Sequence, residues 1–297
     1  MIKFEAALNG VLLLSAVYGL LSLGMVLIFR ATRVLNFSAG ALGLVGAYFV
    51  YELGLLLGNF YAGLVLGLVA SLAFGAVVYR FVLAPISGSR ASIGATTDVG
   101  VVLGTIILAE ALGAAVPFFT GSSGREVKIP LPGWTWHGGG FNLNMLQIVA
   151  FAAMVVVVAA IAIGSSRLSI GLGMRAAADS PRLAGLTGIS TRRVAAVSWA
   201  LATAVGTLGV VAYAASSVLE PATVAGLGAA LFPALLLGGL DSIIGCVVGA
   251  VLLAFIQSAS AVYLGGHWMS VSPYMFLLAV LIFKPHGFFG RGEFSRL

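Results

Sequence analysis

The chain has very little charge. Of its 297 residues only 8% are Asp, Glu, Lys or Arg, and 61% are hydrophobic, whereas a soluble domain carries about 25% charged residues. No soluble core could enclose this much apolar surface, so the composition excludes an ordinary globular domain and indicates a protein that lies mostly in lipid. The 40 glycines fit this interpretation, because small residues let helices approach closely in a bilayer.

Motifs for catalysis and for disulfide bonding are also missing. The single cysteine, Cys246, excludes an internal disulfide, and its apolar surroundings favour an inert packing role. The sequence has no G-x-x-x-x-G-K-[ST] phosphate loop, so we expect no ATP hydrolysis by this chain. His137, His267 and His286 are widely separated and predict no metal site. We therefore expect a chain that is not an enzyme and binds no cofactor or metal of its own.

Apolar segments of about 20 residues predict membrane-spanning helices. The segments cover residues 6–29, 34–57, 60–83, 99–117, 143–164, 194–217, 225–240, 243–264 and 270–283. Residues 225–240 are short and glycine-rich and contain Pro233, so we expect this segment to be short, broken or re-entrant. The predicted fold class is an all-α polytopic membrane protein, with a single transmembrane domain over residues 1–297 and about eight or nine spans.

Positive charge is concentrated in alternate connections between these segments. Twelve of the 15 Lys and Arg residues fall near residues 30–33, 80–90, 165–193 and 284–296. The positive-inside rule then places the N-terminus outside and the C-terminus in the cytoplasm, which requires an odd number of spans and favours nine. Because topology accounts for the net charge of +6, the charge does not indicate a nucleic-acid partner. The external loop 118–142 carries Trp134 and Trp136, which resemble an interfacial aromatic belt.

A polar segment at residues 165–193 interrupts the apolar runs. Its five arginines place it in the cytoplasm, and its pattern predicts a short helix from Met174 to Leu186. The residues available for an apolar face of that helix are Ala177, Leu183, Ala184 and Leu186. A cytoplasmic loop that presents an apolar helix face is typical of a contact surface for a soluble partner.

Several polar residues lie close to or within the apolar segments. Glu110 lies well inside the fourth segment, where a charge is costly, so it has either a structural role between helices or a role in lining a polar path. Asp241 is interpreted as a cap and turn residue. The stretch Asn36–Gly40 is interpreted either as a capped helix start or as a bent entry to a helix that lines a central path.

Four ordered motifs resemble those of the permease subunits of branched-chain amino acid-type ABC importers, and the likeness runs nearly end to end. The first is an Asn-Phe-x-x-Gly element at Asn36 to Gly40, and the second is the cytoplasmic loop that begins Gly173-Met174-Arg175. A late Gly-Gly-x-x-Ser block and a terminal Pro-x-Gly-x-x-Gly element follow. These two motifs comprise Gly238, Gly239 and Ser242, and Pro285, Gly287 and Gly290.

The resemblance implies a permease of the bacterial inner membrane that works with separate subunits. The expected partners are two cytoplasmic ABC ATPase subunits, which bind ATP and Mg²⁺, a second permease that is related or identical, an extracytoplasmic solute-binding protein, and membrane lipid. The loop 165–193 would couple to the ATPase. The implied coupling residues are Arg175, Asp179, Pro181, Leu183, Gly185, Leu186 and Gly188. The expected substrate-path residues are Asn36, Ser38, Gly40, Glu110, Gly238, Gly239 and Ser242.

The function that the sequence favours is therefore an ATP-driven importer subunit for branched-chain amino acids or a related small solute, such as an amino acid, amide, urea or carboxylate. The alternative is a stand-alone secondary transporter or channel, which the segment 225–240 and Glu110 would fit. That alternative lacks support from an internal repeat, and it leaves the cytoplasmic contact loop without a purpose.

Overall fold

The computed structural model describes residues 2–88, 96–121, 123–138 and 141–283, which form a helical bundle with one small hairpin. The helices are α1 (Ile2–Thr32), α2 (Ala39–Leu57), α3 (Phe60–Val78), a π-helical stretch (Tyr79–Leu83), α4 (Ala84–Gly88), α5 (Thr96–Thr120), α6 (Met145–Arg167), α7 (Ser169–Asp179), α8 (Pro181–Leu186), α9 (Thr191–Ser216), α10 (Pro221–Gly238), α11 (Ile243–Tyr263) and α12 (Trp268–Phe283). The strands are β1 (Thr135–Gly138) and β2 (Phe141–Asn144), which pair antiparallel. The predicted tail element at Pro285, Gly287 and Gly290 lies outside the described residues.

The prediction of an all-α polytopic membrane protein is confirmed. In the described part, seven helices are long and apolar enough to cross a membrane: α1, α2, α3 with its continuation to Ser87, α5, α6, α9 and α11. The shorter α10 and α12 have 18 and 16 residues. These helices follow the apolar segments predicted from the sequence in order and position.

The segment predicted to be short, broken or re-entrant is short but not broken. Residues 221–238 form one continuous helix, α10, with Pro233 inside it. A proline removes one backbone hydrogen bond from a helix, and in lipid that loss is tolerated where neighbouring helices cover the site. Pro233 is buried, and α10 packs against both α2 and α11.

The bundle is organised around α1, which packs against α6, α9 and α11. The most apolar window of α1 is 78% buried, whereas that of α6 is only 11% buried and that of α5 is 22% buried. A hydrophobic helix that is covered on all sides is a core helix, and one that is uncovered faces lipid or a partner. The outer surface of the bundle is therefore formed largely by α3, α5 and α6.

Small residues set the distance between the central helices. A Cβ on Gly24 of α1 would lie 2.9 Å from the backbone oxygen of Ala202 in α9, and a Cβ on Gly43 of α2 would lie 2.9 Å from the backbone oxygen of Gly206. Helix association in lipid depends on van der Waals packing because lipid tails are as apolar as the side chains. The contact of α9 with α1 and α2 is therefore made backbone to backbone.

The connections between the helices lie at the two ends of the bundle, which differ in composition. We call the end that holds the α1–α2 connection, the π-helical stretch and residues 165–193 the basic end, which is the end predicted to be cytoplasmic. The hairpin β1–β2 belongs to the opposite end, where Trp134 and Trp136 are exposed. At that end Asn59 caps α3, and Asn144 and Gln147 form a capping box at the start of α6.

We predict that Gly43→Ala destabilises the protein, because the added methyl group meets backbone of α9 that cannot move aside. The expected loss is about 1–3 kcal/mol, the range for overpacking in a dense core, measured as thermal unfolding of the purified protein in one detergent. Gly113→Ala is the matched control, since a Cβ at Gly113 meets nothing within 4 Å. Equal unfolding temperatures for the two variants would contradict the close packing of α2 on α9.

Candidate functional site

The segment at residues 165–193 forms two short helices. The prediction of one helix from Met174 to Leu186 is wrong in this respect, because α7 ends at Asp179 and α8 begins at Pro181. Proline disfavours the helical conformation of the residue before it, and Ser180 is extended, with φ −157° and ψ 101°. The Ser180 hydroxyl accepts a hydrogen bond from the Leu183 N–H at 3.3 Å, so the break is also the N-cap of α8.

The inner face of this segment is packed on the bundle. Met174 and Ala177 of α7 are buried in a cluster with Ala31 of α1 and Val194 of α9. The methyl group of Ala184 in α8 is also buried, with 4% of the residue exposed. The two short helices are therefore fixed to α1 and α9, and movement of one part requires movement of the others.

The outer face of α8 is apolar and uncovered. Leu183 is 63% exposed and Leu186 is 81% exposed, and a Cβ at Gly185 between them would meet nothing within 4 Å. The expected apolar face of Ala177, Leu183, Ala184 and Leu186 is thus divided, with the alanines facing the bundle and the leucines facing away. We call Leu183, Gly185 and Leu186 the apolar tip.

The remaining predicted coupling residues flank this tip. Arg175 is exposed on α7. Gly188 has φ +82°, a conformation that favours glycine, and it forms the turn between α8 and α9. The side chains of Asp179 and Pro181 lie outside the described residues. The coupling role of the whole set stays a prediction.

The Asn36 loop, the stretch from Asn36 to Gly40, comprises the turn before α2 and the first two residues of that helix, and its residues Asn36, Ser38 and Gly40 are buried. The Asn36 side-chain oxygen accepts hydrogen bonds from the Ser38 N–H at 2.9 Å and the Ser38 hydroxyl at 2.6 Å. The Phe37 N–H donates to the Thr105 hydroxyl of α5 at 3.1 Å, and the Phe37 ring stacks on Phe232 of α10 at 4.4 Å between centroids. The loop therefore ties together α2, α5 and α10.

The predicted glycines and Ser242 lie where helices meet. A Cβ on Gly40 would lie 3.1 Å from the backbone of Gly228 in α10, and Gly238 is in backbone contact with Gly245 of α11. Gly239 has φ +94° in the turn after α10, and the Ser242 hydroxyl accepts from the Gly245 N–H at 2.9 Å to cap α11. These contacts give each residue a packing or capping role, and their role in a substrate path stays a prediction.

Glu110 lies apart from the Asn36 loop. It is exposed on α5, whereas Thr105, which binds the loop, is buried on the opposite side of the same helix. The uncovered face also carries Leu103 at 52% and Ile107 at 68% exposure. Glu110 is midway along the apolar span Val99–Thr120. Exposure of its carboxylate to lipid at that depth would cost free energy, so contact of this part of α5 with protein or water is favoured.

Sequence reasoning missed an ion pair at the basic end. Arg33 Nη1 lies 2.7 Å from Asp241 Oδ1 and 2.9 Å from Oδ2. Arg33 follows α1 with φ +57°, and its guanidinium carbon lies 5.7 Å from the centroid of the Phe29 ring. Asp241 is thus more than the turn residue we expected, because it joins the α10–α11 turn to the end of α1. The sequence contained one indication of this pair, because Arg33 and Asp241 have opposite charges and lie in connections at the same end of the bundle.

In the part of the chain that the structure describes, no group of three or more His, Cys, Asp or Glu residues comes together. Cys246 is fully buried, and its thiol donates to the Ile243 carbonyl at 3.1 Å. The predicted packing role of Cys246 fits this position.

Comparison with known proteins adds a family match over most of the chain. Residues 7–283 match the family model described as the permease component of a branched-chain amino acid transport system. The matched residues include the Asn36 loop, Glu110, the apolar tip and the Asp241 turn.

Individual relatives align over nearly their whole length. The high-affinity branched-chain amino acid transport system permease protein LivH of Escherichia coli K12 is 28% identical over 311 aligned positions, which cover 97% of this chain and 96% of LivH. BraD of Pseudomonas aeruginosa, which has the same description, is 24% identical, and the alignment covers 99% of this chain and 97% of BraD. The probable branched-chain amino acid transport permease protein LivH of Methanocaldococcus jannaschii is 24% identical, and the alignment covers 95% of this chain and 91% of that protein.

The Arg33–Asp241 pair should contribute little to stability in the isolated chain, because the two side chains are 43% and 36% exposed. We predict a coupling free energy of at most about 1 kcal/mol that falls as salt is added. The measurement is a double-mutant cycle of Arg33→Gln and Asp241→Asn by thermal unfolding at low and high salt.

The matched control is the Lys128–Glu126 pair, whose atoms are 3.3 Å apart and whose side chains are 86% and 71% exposed. We expect no measurable coupling there. A salt-independent coupling above about 2 kcal/mol at Arg33 and Asp241 would instead mean that the pair is desolvated in the folded protein.

Proposed function

The chain belongs to the family of permease components of branched-chain amino acid transport systems, and on that premise we propose that it is the membrane subunit of an ATP-driven importer for a branched-chain amino acid or a related small solute. Separate ATPase subunits dock on the basic end and supply the energy, with ATP and Mg²⁺ bound to them. An extracytoplasmic binding protein delivers the solute to the opposite end, and a second permease, related or identical, completes the transmembrane path.

The observation that carries this proposal is the apolar tip of α8. Leu183 and Leu186 are exposed beyond the end of the transmembrane helices, in a segment whose arginines favour the cytoplasm. An apolar patch that is exposed on a helix anchored by buried residues is a candidate site for a protein-protein contact. A stand-alone transporter or channel has no use for such a contact, so the tip supports a soluble partner.

The route from that contact to the spans is short. The segment is packed on α1 and α9 through Met174, Ala177 and Val194, and α9 in turn contacts α1, α2 and α3. These contacts are between closely packed helices, and such interfaces shift between discrete arrangements rather than deform continuously. Closure of an ATPase pair against the tip would therefore tilt central helices and alternate the access to the solute path.

Glu110 supports the proposal of a second permease. The uncovered face of α5 combines exposed apolar residues with a carboxylate midway along the span, and a lipid-facing carboxylate at that depth costs several kcal/mol. Contact with a second permease, with the solute path between the two, places the carboxylate next to protein or water. The branched-chain amino acids named for the relatives would pass along this boundary.

We predict that Leu186→Glu weakens binding of the ATPase subunits by about ten-fold or more, because a charge is forced into an apolar contact at a cost of at least ~1.4 kcal/mol. Binding is measured by co-purification and by titration of the ATPase onto the permease in nanodiscs. Solute uptake in reconstituted vesicles should fall in parallel.

The matched control is Leu264→Glu, which makes the same change at a leucine that is 60% exposed at the other end of the bundle. This variant should bind ATPase normally. Normal ATPase binding and solute uptake by the Leu186→Glu variant would contradict the coupling role of the tip. Solute uptake by the purified chain without any ATPase would contradict the proposal of an ATP-driven importer as a whole.

A second prediction concerns the uncovered face of α5. A photoreactive benzoyl-phenylalanine in place of Ile107, which is 68% exposed, should cross-link to the second permease within the purified complex and give an adduct of permease mass. The same residue in place of Val156 of α6, which is 66% exposed, should react with lipid. A permease adduct from position 156 and none from position 107 would place the second permease on α6 instead.

A further inference from the structure

A groove at the basic end is not used by the proposed function. It has a volume of about 720 Å³ and lies between the π-helical stretch with α4 on one side and the first two turns of α9 on the other. Its lining includes Tyr79, Arg80, Phe81, Arg192 and Arg193. The groove thus combines aromatic and cationic side chains from two separate parts of the chain.

The groove arises because two helices touch and then separate. At Gly75 the helix α3 is in contact with the backbone of Trp199 in α9, and one turn further on the Tyr79 ring stacks near the Trp199 ring at 6.3 Å. Beyond this point α3 continues as the wider π-helical stretch. Single π-helical turns are frequently found at functional sites. The space between the two helices then opens toward the basic end.

Three guanidinium groups line this opening without an anion among the described residues. Arg80, Arg192 and Arg193 are exposed, and no described carboxylate lies within ion-pair distance of any of them. The groove also lies at the start of α9, where the helix dipole adds positive potential. Arginine binds phosphate oxygens in paired, charge-assisted hydrogen bonds, so the fitting ligand is a phosphate group.

The surface beside the arginines is apolar. Phe81 is 67% exposed and Val77 is 50% exposed, and Ile86 adds a third apolar side chain at 37%. Val77, Arg80 and Phe81 belong to the candidate span Phe60–Ser87, and Arg192 and Arg193 lie at the start of the candidate span Thr191–Ser216. Val77 precedes Arg80 by about one helical turn, away from the basic end, and Phe81 is adjacent to Arg80. The surface therefore offers a cationic end and an adjoining apolar wall, which are complementary to the head and acyl chains of a phospholipid.

We propose that this groove binds an anionic phospholipid, with its phosphate on Arg80, Arg192 and Arg193 and its acyl chains along Val77 and Phe81. Basic pockets between transmembrane helices on the cytoplasmic side are suited to anionic head groups. An ATPase subunit would account for the arginines but not for the exposed apolar residues of a candidate membrane span, whereas a lipid accounts for both. The proposal does not depend on which solute is carried.

The test is lipid retention by the intact permease complex, purified into nanodiscs of phosphatidylcholine with a minor fraction of phosphatidylglycerol and measured by native mass spectrometry. Each arginine near an anionic surface contributes about a five-fold preference. Arg80→Gln/Arg192→Gln should therefore lower the retention of phosphatidylglycerol about 25-fold relative to phosphatidylcholine. Arg80→Lys/Arg192→Lys keeps the charge and should retain most of the preference.

Two further variants separate a built site from general charge. Ala196→Phe fills the groove without changing any charge and should also release the lipid, while Arg167→Gln, at an exposed arginine in the last turn of α6, should not. Equal loss with Arg167→Gln, or no loss with either groove variant, would overturn the proposal. Reduced ATPase binding with unchanged lipid retention would assign the groove to the ATPase. Displacement of the lipid by inorganic phosphate alone would assign it to a soluble anion.

Discussion

Close contact between helix backbones is the constraint on which the rest of this structure depends. A bundle in lipid has no hydrophobic driving force between its helices, so it is held by the area over which they touch. Gly24 and Gly43 bring α9 against α1 and α2 with no side chain between them. The segment 165–193, which carries the apolar tip, packs on the start of α9 through Val194, and the groove lined by Arg80, Arg192 and Arg193 lies where α9 separates from α3.

The basic end has two surfaces of different chemistry because α9 begins between them. On one side the turn at Gly188 leads back to α8, whose leucines point away from the bundle. On the other side Arg192 and Arg193 face the π-helical stretch of the neighbouring span. One helix start thus adjoins the apolar tip on one side and the arginine-lined groove on the other, and the groove opens beyond the tight contact of α3 and α9 at Gly75.

The spans and the location of the contact segment could be predicted from the sequence, because apolar length and alternating charge are local properties of the chain. The break at Ser180 could also have been predicted, since Pro181 disfavours the helical conformation of the residue before it. The helical pattern on both sides of Ser180 obscured this signal. The Arg33–Asp241 pair joins residues 208 positions apart, and no local pattern encodes which arginine meets which acid. The outward direction of Glu110 depends on how α5 is rotated, which packing alone decides.

The break between α7 and α8 also separates the exposed leucines of the segment from its buried packing. The six residues of α8 present Leu183 and Leu186 outward, and the side chains of these leucines take no part in the buried cluster that holds α7 to α1 and α9. Under the proposed coupling role, substitutions at the tip would alter the choice of ATPase partner and would leave the packing of the transmembrane bundle intact.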